Sequence, residues 1–595
     1  MSVSVVEGRG KRKRRIFNQG GLSSGNAEEI LKETMQTGCT LWQENCTLEQ
    51  LEAYVLEREK TLSQALLQHF VNKNRPVSAQ LTEIAAKRGY KKSRIRSVIK
   101  LTTRGKIRIP RKVFLKKKSK SLSPTDVELN IPPSYCSFNL QRELASVVTS
   151  TSFETTVEIL DGLGHSSPSK RVVEELVVDM ASDFEYFYDN YNNVCYGDWH
   201  CTEKSTGEST SNDREEPENS QNRVDIKPAD GVEMASTTTQ RMEESSPIEA
   251  QIAIKSKHDT GMQDLKKQPS NAVKPTLRVI TVDGKGIAVL KRDLRPAAKK
   301  INDLNTRAND SPSEEQCEQQ DGRKRMAEVG AVYEIEPYPR DLSETVKIIC
   351  QRRRNVEDKK EIKPKAQNKR VWASVEKSVE DVIHDVFSEV KERENKTGVL
   401  RVVAVVDGNV HQISCIEKKA KAENRNITVV LDIIHVIEYL YRLMRLFLSE
   451  SDQKTLGRQM VSKLIELLIS SGYEEMKKYI VNQFKMEKRS ESMTKAFMKI
   501  IAYFERKKEY IKYAEFLEEG LPIASGVIEG ACRHLIQDRL GITGAVWSVK
   551  TAEAVLKLRS LKASGDFDNY WTFHLKREAD RTYERFRSGP VDIAA

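Results

Sequence analysis

The sequence predicts an α+β protein of several domains, with a mixed β-sheet at the centre of its largest domain. Three observations predict this class. Two runs rich in valine and isoleucine, residues 276–283 and 400–406, have the composition of buried strands, and each of them leads into an aspartate. Segments with apolar residues at helical spacing separate these strands and also follow the second one. The chain has 595 residues, which is long enough for more than one domain and for at least one large core.

The first region is predicted to be basic and partly helical. Residues 1–26 contain the basic cluster Lys11–Arg15 and are assigned to a disordered tail, whereas residues 27–135 form an N-terminal helical and hairpin region. Leucine and alanine recur at helical spacing within residues 27–72, which indicates one or two amphipathic helices.

A basic β-hairpin is predicted next. The stretch from Lys87 to Lys120 contains sixteen Lys or Arg residues and no acidic residue, and Ser93–Phe114 alternates apolar and basic residues around Arg104-Gly105. Such a stretch repels itself unless it meets a polyanion, so we assign it to phosphate binding, with a solvated basic linker as the alternative. The candidate DNA contacts in this hairpin are Arg94, Arg96, Lys106 and Arg108.

Residues 136–196 are predicted to be a helix-turn-helix-like DNA-binding region. Apolar residues at helical spacing are interrupted at Asp161–His165, which suggests two short helices joined by a glycine turn. A helical hairpin that binds no DNA is the alternative. Residues 197–274 follow as a disordered linker, because residues 202–264 contain no Phe, Trp, Tyr or Leu and offer too little apolar surface to fold.

Residues 275–433 are predicted to form the first part of a catalytic core. Strands are expected at 276–283, 286–293, 325–336, 400–406 and 427–432, with helices at 341–352 and 373–394 and between the last two strands. A three-stranded meander followed by helix, strand, helix and strand is the element order of a ribonuclease-H-like domain. In that order the fourth strand pairs in parallel with the first, so Asp283 and Asp407 become neighbours, separated by roughly one inter-strand spacing of about 5 Å.

The remaining residues are predicted to be mostly helical. Residues 434–518 form a helical insertion, and residues 519–595 form the second part of the core and a C-terminal tail. In this second part, Ser525-Gly526 is a start signal for a helix that presents Glu529 and Arg533 on one face. A surface salt bridge between these two residues is the alternative reading of the glutamate.

Composition limits the classes of partner and cofactor that the sequence favours. A formal net charge of +12 favours polyanionic partners, and no run of eighteen apolar residues or signal peptide is found, so a cytoplasmic protein is expected. The nine cysteines include no Cys-x-x-Cys pair, which predicts reduced thiols and no zinc ribbon. Two adjacent carboxylates instead predict a site for a hard divalent cation.

Several longer blocks of the sequence resemble one family. They lie in the same order between about residue 275 and residue 585, and they closely resemble the ISKra-type bacterial insertion-sequence transposases, which are DDE transposases related to the Mutator-like group. The blocks are VDGKG at 282–286, GRKRMAEVGAVY at 322–333, KRVWASVEKS at 369–378, LDIIHVIEYL at 431–440, LPIASGVIEGACRHLIQDRLGITGAVW at 521–547 and ASGDFDNYWTFHL at 563–575.

The resemblance implies a set of catalytic and metal-binding residues. The first aspartate of the family matches Asp283 and its glutamate matches Glu529, while strand order selects Asp407 rather than Asp432 as the middle aspartate. Together the three acids would hold two Mg²⁺ or Mn²⁺ ions, and no zinc is expected because the family's zinc ribbon has only Cys136 here.

The resemblance also implies accessory residues and partners. Asp432 and His435 match the Asp-x-x-His motif of the Mutator-like group and are assigned, with Trp547, to a structural or accessory role. The residues proposed to hold DNA phosphate near the metal are Lys285, Arg533, His534 and Arg539. Plain surface charge is the alternative for Lys285, Arg533 and Arg539.

The expected function is DNA transposition. The protein would bind double-stranded DNA at terminal inverted repeats and at the target, cleave and join strands as a homo-oligomer, and associate with the nucleoid. Two alternatives stay open: an inactive or repurposed DNA-binding protein with the transposase fold, and a ribonuclease-H-like nuclease that cuts without strand transfer.

Overall fold

The structure is a computed structural model, and the part of the chain it describes has several gaps. The described residues are 27–44, 46–73, 79–90, 92–116, 121–162, 167–190, 276–296, 299, 324–350, 364–485, 490–542 and 544–587. The predicted tail at 1–26 and the predicted linker at 197–274 lie outside these residues. The described residues form one compact unit.

A five-stranded mixed sheet forms the centre of the described structure. Its strands are β3 (Leu277–Ala288), β4 (Lys324–Ile335), β5 (Gln367–Ser374), β6 (Arg401–Val406) and β7 (Ile427–Leu431). Their order across the sheet is β5-β4-β3-β6-β7, with β3, β4 and β5 antiparallel and with β6 parallel to both β3 and β7. The predicted α+β class and the predicted parallel pairing of the Asp283 strand with the Asp407 strand are therefore confirmed.

One predicted strand was wrong, and one observed strand was not predicted. The predicted strand at 286–293 is absent, because β3 continues through Gly284 and Gly286 to Ala288 and is followed by a short 3₁₀ helix, Lys291–Asp293. The glycines instead make room for β4, because a Cβ added to Gly284 would lie 2.9 Å from Oε2 of Glu328. β5 was missed because its first half is polar, so the third meander strand is β5 rather than residues 325–336.

Helices cover the sheet and bury its central strands on both faces. Consecutive residues of β4 from Ala327 to Glu334 are buried, and the helices Val379–Thr397 and Val549–Ser564 pack against β4 and β5 respectively. The other helices of this part of the chain are Leu342–Cys350, Val410–Ala422, Ile433–Phe447, Glu450–Thr455, Gly457–Ser470, Gly472–Lys485, Glu491–Lys507, Tyr513–Glu518, Gly526–Ala531, Asp538–Leu540 and Phe567–Arg587, with a 3₁₀ turn at Lys508–Tyr510 and a π-helical turn at Cys532–Gln537.

The N-terminal region contains the predicted hairpin and helices. The hairpin consists of β1 (Lys92–Thr102) and β2 (Gly105–Leu115), which pair in register around a two-residue turn. The helices are Ala27–Gln43, Leu48–Asn72, Ala79–Lys87, Pro124–Glu128, Phe138–Val148, Phe153–Gly162, Lys170–Met180 and Phe184–Asp189.

The last of these helices pack against the C-terminal part of the chain. The buried carboxylate of Asp183 accepts hydrogen bonds from Nδ1 of His574 at 2.7 Å and from Nη1 of Arg581 at 2.7 Å, and Tyr188 donates to Asp566. Among the described helices, none combines the length and the apolar character needed for a membrane crossing.

Candidate metal and phosphate site

The site begins where β3 and β6 stop pairing. The last paired residues are Ile280 and Ala404. Asp283 lies three residues further along β3, and Asp407 directly follows the last residue of β6, Val406. The two aspartates therefore leave the paired region on neighbouring strands, which lie about 4.8 Å apart where they pair. Burial and the charge of Asp283 both raise the pKa of Asp407, although a hydrogen bond from the backbone of Asn409 opposes the rise.

A third carboxylate joins this pair from β4. Glu328 lies opposite Gly284 in the β3–β4 register and is only 6% exposed. Burial raises its pKa to about 7; the guanidinium of Arg295 opposes that rise, and the charges of Asp283, Glu380 and Asp407 add to it. We call Asp283, Glu328 and Asp407 the acid cluster.

The acid cluster has few hydrogen-bonding partners. Oδ1 of Asp283 accepts from the backbone of Gly284 at 2.7 Å, and Oδ1 of Asp407 accepts from the backbone of Asn409 at 2.8 Å. Among the described residues, the Glu328 carboxylate has neither a hydrogen bond nor an ion pair. Three buried or half-buried acids whose charges oppose one another are a set of hard oxygen ligands that a divalent cation would stabilise.

Glu529 lies on a helix that contacts β3 and β4. The helix Gly526–Ala531 continues into the π-helical turn, where the thiol of Cys532 donates to Oδ2 of Asp283 at 3.2 Å. Glu529 precedes Cys532 by three residues and therefore lies on the same side of the helix. Its side chain is exposed and has no hydrogen-bonding partner in the described part of the chain.

Asp432 is separate from the acid cluster and holds the Glu529 helix in place. Its Oδ2 accepts from the backbone and the hydroxyl of Ser525, at 2.8 and 2.5 Å, and its Oδ1 accepts from the backbone of Ile434 at 2.8 Å. This buried carboxylate caps the helix Ile433–Phe447 and fixes the start of the helix that carries Glu529.

The helical insertion also reaches the acid cluster, which the sequence did not indicate. Lys507, at the end of the helix Glu491–Lys507, is 3% exposed, and burial lowers its pKa while the charge of Asp407 opposes that change. A Cβ on Gly408, whose φ is +93°, would lie 2.5 Å from the hydroxyl of Tyr503, so only glycine fits beside Asp407. His435 is partly exposed, and its charge also opposes the raised pKa of Asp407.

Three of the four predicted phosphate contacts of the core are exposed near the site. Lys285 lies two residues beyond Asp283 on the same strand, and its charge acts on the thiol of Cys532. Arg533 and His534 are 72% and 71% exposed and both lie near the carboxylate of Asp538, at 3.7 and 2.9 Å.

Arg539 does not fit the predicted role. It is 3% exposed, its Nε donates to the carbonyl oxygen of Val148 at 3.1 Å, and its guanidinium lies over the rings of Phe153 and Trp547. It therefore joins the helices Phe138–Val148 and Phe153–Gly162 to the core and is not available to a phosphate. Trp547 is also buried and forms a bridge with Val289, just beyond the end of β3, which is a structural position.

The basic residues of the hairpin are exposed on both of its faces. Arg94 and Arg96 alternate with Ile95, whereas Lys106 and Arg108 lie on the face opposite the buried Ile107 and Ile109. The second strand is covered along its edge, because Gln64 and Gln68 donate to the carbonyl oxygens of Lys106 and Arg108, at 2.7 and 2.8 Å. The predicted electropositive surface is thus divided between two faces.

The second helix of the predicted helix-turn-helix region has a mixed surface. Its exposed residues in Lys170–Met180 include Lys170, Arg171, Glu175 and Asp179, and Arg171 pairs with Glu175 at 3.1 Å. These charges nearly cancel, so this helix offers less attraction to a phosphate backbone than the hairpin does.

Comparison of the chain with protein-family models, with curated proteins and with solved structures gave no match.

Proposed function

We propose that this protein is a DDE-type transposase that binds DNA and catalyses Mg²⁺-dependent strand cleavage and strand transfer on a ribonuclease-H-like core. One observation carries the proposal: Asp283 on β3 and Asp407 directly after β6 each follow the paired part of two adjacent parallel strands by three residues, and the thiol of Cys532, next to the helix bearing Glu529, donates to Asp283. The strand order β5-β4-β3-β6-β7 supports the same core.

The residues present suit Mg²⁺ or Mn²⁺. Asp283, Asp407 and Glu529 offer oxygen ligands, and Glu328 adds a buried carboxylate that no cation of the described chain neutralises by contact. A divalent ion bound there would activate an attacking oxygen and stabilise a leaving one during phosphodiester exchange. Within the chain, Asp432 sets the position of the Glu529 helix, and Tyr503 packs against Gly408, next to Asp407.

The exposed cations have a separate task in this proposal. Lys285, Arg533 and His534 would orient the DNA backbone over the acid cluster, while Arg94, Arg96, Lys106 and Arg108 of the hairpin would bind DNA further from the reaction. Because two element ends must be joined, a homo-oligomer on DNA is part of the proposal.

The test is a strand-transfer assay with purified full-length protein. Donor DNA containing the sequences that flank the coding region, a supercoiled target plasmid and Mg²⁺ should yield 3′-hydroxyl nicks and joined products. Asp407→Asn should reduce cleavage by at least about a thousand-fold, because it removes a charged ligand while leaving its shape. Asp568→Asn, at an exposed aspartate that pairs with Arg142, is the matched control and should leave both products unchanged.

The outcomes separate the alternatives. Nicks without joined products would identify a nuclease that lacks strand transfer, and DNA binding without nicks in the unaltered protein would identify an inactive DNA-binding relative. Cleavage that persists in Asp407→Asn would falsify the assignment of the acid cluster as the reaction centre.

A further inference from the structure

A second set of metal-ligand side chains lies beside the acid cluster, on the helices Val379–Thr397 and Val410–Ala422. Nε2 of His411 is 2.6 Å from Oε1 of Glu380, and Nδ1 of His411 is 4.0 Å from Sγ of Cys415. One ligand atom from each of the three residues lies within 4.8 Å of the others. We infer that Glu380, His411 and Cys415 form a site for a borderline-soft divalent ion such as Zn²⁺.

The backbone holds the three side chains in a fixed relation. Asn409 caps the second helix by accepting from the backbone of His411 at 2.9 Å, and Cys415 follows one turn later on the same face. Glu380 lies in the first turn of the other helix, within a capping box formed by Ser378 and Asp381. Because both helix starts are capped, the ligands project from rigid segments rather than from loops.

The distances are close to those that zinc requires. With Zn–S near 2.3 Å and Zn–N near 2.0 Å, tetrahedral ligand atoms lie about 3.3–3.8 Å apart. If the ion binds Nδ1 of His411, the 4.0 Å separation from Sγ of Cys415 needs only a small adjustment. Glu380 contacts the other ring nitrogen, Nε2, which cannot bind the same ion. Its side chain, which is 55% exposed, would have to leave Nε2 and its contact with Ser378 and turn to the Nδ1 side to become the third ligand.

The donor set distinguishes this site from the acid cluster. A thiolate and an imidazole favour Zn²⁺ over Mg²⁺, whereas carboxylates alone favour the hard ion. Three protein ligands leave one tetrahedral position for water, since His411 is 62% exposed. The alternative without a metal is a surface ion pair between Glu380 and His411, with the thiol of Cys415 nearby but unrelated to it.

The inference does not depend on the proposed function, and cobalt provides the test. Purified full-length protein, kept reduced and in excess Mg²⁺ to occupy carboxylate sites, is titrated with Co²⁺. We expect a thiolate-to-cobalt charge-transfer band that saturates at one ion per chain and is abolished when Zn²⁺ displaces the cobalt. His411→Ala should weaken binding by at least roughly a hundred-fold, because a direct ligand contributes no less than an outer-shell partner.

Two variants decide between the site and the ion pair. Cys415→Ser should abolish the band, and Cys350→Ser, at another partly exposed cysteine on the helix Leu342–Cys350, should keep it. Asp407→Asn should also keep the band, which separates this site from the reaction centre. Absence of the band in the unaltered protein, or its persistence in Cys415→Ser, would overturn the inference.

Discussion

The two ends of the β3–β4 strand pair differ in how their buried charged side chains are partnered. Where β3 begins, Arg278 lies directly opposite Glu334 of β4, and their side chains are 2.9 Å apart with 0% and 10% exposure. Six residues along β3, Gly284 lies opposite Glu328, and there the buried carboxylate has acids rather than a contacting cation around it. We call Arg278 and Glu334 the paired cluster.

The pKa values of the two glutamates express this difference. Burial acts on both, but hydrogen bonds from Asn368 and Arg278 outweigh it at Glu334 and hold the pKa of that carboxyl below its usual value. At Glu328 the neighbouring acids add to the effect of burial, and the pKa rises to about 7. The carboxylate of the paired cluster contacts a cation of the folded chain, whereas the acid cluster is left with an electrostatic cost that only an additional cation or a proton relieves.

The two clusters differ in what their buried charges indicate about function. A buried charge that contacts an opposite charge contributes to the fold, while a buried charge without such a contact persists at a cost in stability that folding alone does not justify. The acid cluster is therefore the part of the sheet where a ligand is expected.

Breaking the paired cluster should produce the largest loss of stability. Arg278→Met leaves Glu334 buried beside an apolar side chain and should lower the free energy of unfolding by about 3–5 kcal/mol. The measurement is urea unfolding followed by circular dichroism. Arg278→Met combined with Glu334→Leu should recover most of the loss, and equal losses in the single and double variants would show that packing rather than charge is responsible.

Adding a divalent ion should reveal the opposite behaviour at the acid cluster. Mg²⁺ at about 100 times its dissociation constant should add about 2.7 kcal/mol to the free energy of unfolding, because it binds the folded chain alone. This increment should shrink strongly in Asp407→Asn and persist in Arg278→Met, which alters only the paired cluster. Thermal unfolding with and without Mg²⁺ measures it, and an equal increment in Asp407→Asn would place the ion elsewhere.

Glu328→Gln should stabilise the metal-free protein at high pH. The folded-state pKa of about 7 exceeds the ordinary value of 4.5, so the folded chain keeps a proton that the unfolded chain releases. Stability from this group is present below pH 4.5 and is lost as the pH rises towards 7. The variant should therefore gain about 1–3 kcal/mol at pH 8 in the presence of a chelator, and almost nothing near pH 4. Urea unfolding at both pH values checks this, and a gain of equal size at both would refute the electrostatic cause.

Much of the sheet was predictable from the sequence, because strand composition and the position of an acid at each strand exit are local signals. These signals identify Asp283 and Asp407, and the order of strands and helices predicts that the two residues lie on adjacent strands. β5 was not found, since only Val371, Trp372 and Ala373 are continuously apolar in it. Whether Glu529 acts with the two aspartates stays a prediction.

Other parts of the site depend on tertiary contacts that leave no local signal. Glu328 lies 45 residues from Asp283 in the sequence, where it looks like a single polar residue within an apolar strand. Only the β3–β4 register shows that it lies opposite Gly284. Lys507 reaches Asp407 only through the fold of the helical insertion. Arg539 was misassigned because the π-helical turn Cys532–Gln537 adds a residue to one turn and so changes which side the following residues face.

The thiol of Cys532 should have the smallest effect, because it contributes one weak hydrogen bond to the acid cluster. Cys532→Ala removes the donor to Asp283 and should cost about 1 kcal/mol or less of the free energy of unfolding, with Cys532→Ser retaining a hydroxyl donor and costing less. Burial and the charge of Asp283 raise the pKa of this thiol far above its usual value, so it stays protonated and continues to donate at pH 8. Alkylation by iodoacetamide at pH 8 should therefore be slow at Cys532 and fast at the exposed Cys39, which serves as the internal control. Rapid alkylation of Cys532 in the folded protein would mean that the Glu529 helix opens away from β3, and the acid cluster would then be more accessible than its contacts indicate.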